Sequence, residues 1–241
     1  MSDKVIIVIG AGDATGSAVA RRFAKAGYIA VCTRRKADVL NPLVKEIEAE
    51  GGRAFGFGSD AREEDQVIEL FNKVEAEIAP IEVVVFNIGA NVFFGIEETT
   101  ARVYRKVWEM AAFAGFLTGR EAARRMSPRG RGTIIFTGAT ASLRGSAGFS
   151  AFSGAKFALR ALAQSMAREL GPKGIHVAHS IIDGAIDTAW IAENFPDRYA
   201  LKDQDGLLDP EAIAEAYWQI HVQPRNAWTH EMDLRPWMEK F

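Results

Sequence analysis

The residues able to do chemistry in this 241-residue chain fall at four places. Gly10-Ala11-Gly12-Asp13-Ala14-Thr15-Gly16 follows the apolar run Val5–Ile9 and opens a helical stretch reaching about Lys25. A glycine-rich turn between a first strand and a first helix lets backbone N–H groups approach a pyrophosphate at the helix N-terminus. The second apolar run ends in Cys32-Thr33-Arg34-Arg35-Lys36. In dinucleotide-binding folds an acidic side chain at that point holds the adenosine ribose. An arginine there accommodates a 2′-phosphate through its planar paired donors. The other reading of Arg34 and Arg35 is a solvated basic loop. Lys156 stands four residues after Phe152, and Asp183 stands before Gly184 at the end of a later apolar run. A partly buried carboxyl such as Asp183 can hold a proton for donation, or can simply cap or turn the loop.

These residues need elements to position them. Apolar, β-branched runs occur at Val5–Ile9, Ile29–Thr33, Ala54–Phe57, Val83–Asn87, Thr133–Thr137, Ile175–Ile181 and His230–Leu234. The central runs are apolar at consecutive positions, which suits strands covered on both faces of a parallel sheet. Val67, Leu70, Phe71, Val74 and Ile78 follow helical spacing. Asn41-Pro42 caps and opens a helix that stops at Gly51-Gly52, or that begins a turn earlier. Strand–helix–strand repetition predicts an α/β fold: a single Rossmann-like domain over 1–241 with a doubly wound parallel sheet of about seven strands and helices on both faces. Residues 188–210 lack periodicity and carry Trp190, Phe195 and Tyr199, which predicts a lid-like segment after the sixth strand.

Bulk composition narrows the functional classes. With 48% hydrophobic and 25% charged residues the chain is an ordinary globular domain. A net charge of −2 gives no electrostatic case for nucleic acid or an anionic membrane surface. The lone Cys32 excludes an internal disulfide and fits a buried apolar role in a reducing compartment. Val5–Ile9 is too short for a secretory core or a membrane span, so a cytoplasmic location is the expectation. His176 and His179 lie on a strand without metal-ligand spacing, and no metal is expected.

Over nearly its whole length the sequence resembles the short-chain dehydrogenase/reductase family. Gly10 and Gly16 match the first and last glycines of that family's Thr-Gly-x-x-x-Gly-x-Gly turn, with Ile9 and Ala14 replacing the threonine and the middle glycine. Ser59-Asp60 resembles its adenine-contacting aspartate, and Phe86-Asn87-Ile88-Gly89 its Asn-Asn-Ala-Gly. Asp183-Gly184-Ala185-Ile186-Asp187-Thr188 resembles the Pro-Gly-x-x-x-Thr segment that holds the nicotinamide amide, with Asp183 in place of proline. The resemblance implies a nicotinamide dinucleotide held by Gly10, Asp13, Thr15, Gly16, Arg34, Arg35, Asp60, Asn87, Gly89, Lys156, Gly184, Ile186 and Thr188. With arginine rather than an acid after the second strand, NADP(H) is preferred over NAD(H).

The family's catalytic side chains are a tyrosine that passes the proton, a lysine that lowers its pKa, a serine that steadies the substrate oxygen and an asparagine that orders a relay water. They fall here on Phe152, Lys156, Ala139 and Ala112. Only the lysine is kept. Tyrosine occurs only at 28, 104, 199 and 217, so none occupies the helix turn before Lys156. Thr140 or Ser142 replaces the serine only at the cost of a gap, and Ser153 is turned roughly 100° from the Phe152 face. Positioned acid–base catalysis contributes about 10²–10⁴ in rate. An oxygen-stabilising donor contributes roughly 10²–10³ more, and the two losses do not simply add.

The expected function is therefore an oxidoreductase of altered mechanism, acting by hydride transfer on an unknown apolar or activated small molecule. Its proton would come from water, Asp183 or the substrate. The alternatives are a non-catalytic NADP(H)-binding sensor or scaffold, and a structural subunit. Lys156 holds ribose hydroxyls or lies on an exposed helical turn. Phe93, Phe94, Leu143, Phe149, Phe152 and Trp190 line an apolar pocket or belong to the core. The small-and-large face of Ser153–Leu170 and the Trp228–Pro236 segment suggest a homodimer or homotetramer by analogy with the family.

Overall fold

A computed structural model describes residues 3–12 and 14–240; Asp13 lies outside them. Seven parallel strands run β1 (Val5–Ile9), β2 (Ile29–Arg34), β3 (Arg53–Gly58), β4 (Ile81–Phe86), β5 (Gly132–Thr137), β6 (Ile175–Ile182) and β7 (Glu231–Leu234), in the sheet order 3-2-1-4-5-6-7. Every pairing is parallel, from Val31 beside Phe55 at one edge to Ile181 beside Asp233 at the other. The strands match the apolar runs of the sequence to within two residues at either end.

Alternate side chains of each strand enter two cores. Val5, Ile7 and Ile9 pack with Val84, Phe86, Ile134 and Phe136 beneath α3 (Glu64–Glu77), α5 (Ala114–Met126) and α6 (Ser150–Leu170). Ile6 and Val8 pack on the opposite face with Val83, Val85 and Ile135 beneath α1 (Thr15–Lys25), α2 (Asn41–Ala49) and α9 (Pro210–His221). Period-two alternation thus serves two layers, and both are apolar because both are covered. Cys32 is fully buried in the second core, where burial pushes its thiol up to about 12, as a packing residue requires.

Three details add to the sequence reading. Asn41 does not cap α2: it is the first helical residue, a 3₁₀ turn at Asp38–Leu40 precedes it, and Pro42 sits in the first turn, where its missing N–H costs nothing. The helix that reaches α5 begins as α4 (Ala101–Trp108), capped by the Thr100 hydroxyl on the Val103 N–H. Between the two, Glu109–Phe113 widens into a π-helical turn that contains Ala112. Residues 188–210 hold α7 (Ala189–Asn194), α8 (Pro196–Tyr199) and a 3₁₀ turn at Lys202–Gln204. The segment is closed at its base, where Leu208 N–H donates to Ala185 and Asp187 N–H to Leu208. Arg198 pairs with Glu239, and Trp237 Nε1 donates to the Gln204 carbonyl, so the C-terminal residues hold its far side. Among the described residues no helix is long and apolar enough to cross a membrane.

Candidate active site

Between β3 and β4 the chain crosses from one edge of the sheet to the far side of β1, leaving a crevice at the carboxyl ends of β1 and β4. Such a switch point is where open α/β sheets bind ligands. A cleft of about 250 Å³ opens there, lined among others by Gly10, Arg34, Arg35, Asp60, Asn87 and Gly89. Residues from the ends of four strands, 77 positions apart along the chain between Gly10 and Asn87, are thereby brought together.

The turn itself shows why glycine is needed at two positions. Gly10 has φ +91°, and a Cβ there would stand 2.8 Å from the Asn87 carbonyl oxygen. A Cβ on Gly16 would stand 2.4 Å from the Gly10 oxygen. Asn87 secures the turn from β4, its N–H donating to Ile9 and its Nδ2 to the Gly10 carbonyl at 3.1 Å. Thr15 Oγ1 is buried at the start of α1 and has no hydrogen-bond partner. A buried hydroxyl without a partner beside a helix N-terminus and close-packed glycines suits a phosphate-bearing group. Asp60 is held by Arg62, which donates from Nε at 2.9 Å and from Nη2 at 2.5 Å. That guanidinium keeps the Asp60 carboxyl below its ordinary range. Asp60 is thus half of an ion pair with a partner two residues away that the sequence reading overlooked.

The second half of the site lies at the ends of β5 and β6, outside the lining of that cleft. Lys156 is 2% exposed, which excludes the solvated-turn reading. Its Nζ donates to the Thr137 carbonyl at 2.8 Å and to the Ile88 carbonyl at 3.2 Å, bridging the ends of β5 and β4. Burial lowers the amine to about 8. An ammonium has three donors, so one remains for a further acceptor. The Phe152 ring centroid lies 5.9 Å from Nζ.

Neither Tyr217 nor Tyr104 takes its place. Tyr217 is fully buried in the core beneath α1 and α9, where its hydroxyl meets Thr137 Oγ1 at 2.9 Å, on the face of the sheet away from α6. Burial raises that phenol to about 12. Tyr104 lies over Gly154, where an added Cβ would stand 2.7 Å from its hydroxyl, roughly 200° around α6 from the Phe152–Lys156 stripe. Ala112 is buried in the π-helical turn, and Ser153 is buried with its hydroxyl unpartnered.

Asp183 is completely buried at the end of β6. Its Oδ1 accepts from Thr140 Oγ1 at 2.6 Å, with Arg144 at 3.7 Å, and Arg235 stands 3.9 Å from Oδ2. Thr140, 43 residues away in sequence, follows Ala139 directly. Gly184 has φ +152° and its Cα faces Pro236. Ile186 bridges to Leu208, and the Thr188 hydroxyl caps α7 by accepting from Ile191 N–H at 3.1 Å.

Of the apolar residues singled out in the sequence, Phe93 and Phe149 stack edge to face at 5.2 Å, and Phe94 N–H donates to Gly148. Gly148 has φ +80°, and a Cβ there would collide with the Phe93 ring at 2.3 Å. Trp190 pairs instead with Phe195 within the 188–210 segment, at 5.4 Å.

His176 stacks on Trp228, and His179 Nδ1 meets Glu231 at 3.0 Å, both as structural side chains. Among the described residues no group of three or more His, Cys, Asp or Glu side chains is placed to hold a metal ion.

Comparison with known proteins agrees with this architecture. The family model for short chain dehydrogenases matches residues 4–198. The crystal structure of a short-chain dehydrogenase from Rhodopseudomonas palustris is 52% identical, with a TM-score of 0.84 over 97% of this chain and 99% of that one. An alcohol dehydrogenase from the archaeon Thermococcus sibiricus, solved with 5-hydroxy-NADP, is 25% identical, with a TM-score of 0.86 over 98% of both chains. The cis-4-hydroxycyclohexanecarboxylate dehydrogenase of Sinomonas cyclohexanicum is 30% identical over 220 residues, 89% of this chain and 88% of that protein.

Proposed function

The chain belongs to the short-chain dehydrogenase family of oxidoreductases, and from that premise we propose that it is an NADP(H)-dependent enzyme whose proton supply departs from the family pattern. The observation that carries this reading is Lys156, buried and bonded at the crevice edge beside a phenylalanine that has no proton to give. When bound, the nicotinamide supplies or accepts a hydride. The Gly10–Gly16 turn and Thr15 meet the pyrophosphate, and Arg34 and Arg35 lie where a 2′-phosphate would stand. The third Nζ donor of Lys156 is directed to ribose hydroxyls. Gly184, Ile186 and Thr188 follow β6 at the nicotinamide end, where the Thr188 hydroxyl still has its proton to donate while capping α7. Asp13, assigned to the same cofactor from the sequence, lies outside the described residues.

Phe152, Ala139 and Ala112 leave ordinary ketones without their proton donor, oxygen clamp and relay. The substrate class that tolerates this is apolar and already activated, such as a dicarbonyl. The Phe93–Phe149 pair offers it an apolar edge between the loops after β4 and β5. The same three replacements favour a second reading, a non-catalytic NADP(H)-binding sensor or scaffold. Exposed Trp108, Phe116 and Phe157 on α4, α5 and α6 support self-association through these helices. A single domain with a segment over 188–210 at its mouth, working in a reducing cytoplasm, completes the proposal.

Consumption of NADPH with a panel of simple ketones and of α-dicarbonyls separates the two readings. Turnover of dicarbonyls with negligible ketone reduction is the expected result. Tight NADPH binding with no turnover of either class would leave the sensor.

A further inference from the structure

Arg62 is shared between the cofactor cleft and a second cavity, of about 360 Å³, lined by Arg62, Ala101, Arg102, Arg105, Lys106 and Glu109. Met110, the neighbour of Glu109, lines the cofactor cleft, so the two hollows adjoin at both places. The size suits a small molecule, but the walls lack the apolar side chains that such sites usually carry. Four of the six lining residues are cations and one is an acid. Arg62 is matched by Asp60, which it holds from Nε and Nη2. Among the described residues, the exposed side chains of Arg102, Arg105 and Lys106 have no ion-pair or hydrogen-bond partner. They share one side of α4 at spacings of three and four residues, where like charges repel. They also stand in its first two turns, whose dipole disfavours cations, and no acid occupies the first turn. Acids are not scarce in a chain of net charge −2, and Arg21, Arg22, Arg120 and Arg124 each pair with a carboxylate. Three neighbouring cations left without one, around a shaped hollow, ask for a ligand.

We propose that this cavity binds a compact polyphosphate, as the inorganic ion or as the tail of a nucleotide, at a site separate from that of the cofactor's 2′-phosphate. Guanidinium forks grip phosphate oxygens in pairs, and Lys106 adds a point charge. Three unpaired cations against Glu109 leave a surplus of two positive charges. A lone carboxylate or chloride would not balance that surplus, whereas a diphosphate or triphosphate does. Arg62, while holding Asp60, keeps both Nη1 donors to offer. Arg34 and Arg35, at the end of β2, line the cofactor cleft and not this cavity, so a 2′-phosphate placed on them leaves the second hollow open.

The test is a calorimetric titration of inorganic triphosphate into the purified full chain saturated with NADPH, at low salt so that screening is weak. One triphosphate should bind per chain. The double variant Arg102→Gln/Arg105→Gln should weaken it about tenfold or more, the scale of one lost hydrogen bond between charged groups. Glu109→Gln, which removes the one opposing charge, should tighten it. Neither change should move the affinity for NADPH or the melting temperature of the unliganded protein by more than a surface substitution does. ATP binding as tightly as triphosphate would support a site that reads phosphates alone, and tighter ATP binding would support one that reads a nucleotide. Triphosphate that competes with NADPH, or that binds the double variant as well as the wild type, would overturn the proposal. So would an absence of binding, including the case in which the double variant instead dissociates an oligomer in light scattering and the cations therefore meet a second copy. The same titration on Arg34→Gln/Arg35→Gln without dinucleotide separates the two readings: binding there upholds this site even if NADPH proves not to be the cofactor.

Discussion

At the scale of single residues, Phe152 and Lys156 together state the problem the site poses. The ring lacks the one atom the family reaction uses, yet the ammonium beside it holds two backbone carbonyls and keeps one donor to spare. Restoring the missing groups with Phe152→Tyr and Ala139→Ser should raise kcat/KM for simple ketones by about 10²-fold or more, read as NADPH loss. No gain would mean that the surrounding pocket has diverged as well. Lys156→Met should weaken NADPH binding about tenfold or more in a fluorescence titration, the scale of one lost hydrogen bond to a charged group. Both residues were legible because a four-residue spacing on one helix survives in any alignment. The Thr140–Asp183 contact was not, since 43 residues separate partners that meet only when β5 and β6 pair. The burial of Lys156 was equally hidden, because lysine near a helix start is usually solvated.

At the scale of elements, the strand–turn–helix unit from Val5 to Lys25 must admit a diphosphate against its own backbone. Gly16→Ala would drive a Cβ into the Gly10 carbonyl at 2.4 Å, backbone that has no flexible end to yield. It should abolish the thermal shift given by NADPH and lower the melting temperature of the free protein. Strands were readable from their apolar runs, since a doubly covered sheet leaves no polar alternation to confuse them. The π-helical widening at Glu109–Phe113 was not readable, because Glu-Met-Ala-Ala-Phe is an ordinary helical sequence and the extra residue is accommodated only by packing against α6. At the start of α2 the second of the two readings holds: the Asp38–Leu40 3₁₀ turn supplies the helix entry one turn before Asn41-Pro42.

For the whole molecule, the doubly wound sheet was predictable from element alternation, whereas which faces carry charge was not. With Arg34 and Arg35 at the carboxyl end of β2, NADPH should raise the melting temperature more than NADH at equal concentration, by mass action on the folded state. Equal shifts would remove the argument for a 2′-phosphate site. Acid stability follows from two buried imidazoles. Burial depresses both His179 and His221 to about 4, from an ordinary value of 6.5. Folded rings stay neutral in that window while unfolded ones bind protons, so stability is intact above 6.5 and falls as the pH drops toward 4. Melting curves across that interval should decline, and His221→Asn should soften the decline.

The ammonium that laces the tips of β4 and β5 together has a last consequence, for ancestry. Strip the reaction away and that stitch between two neighbouring loops would still be worth keeping, whereas an idle phenol would protect nothing. Lineages drifting from turnover toward mere binding should therefore shed the tyrosine early and the lysine late.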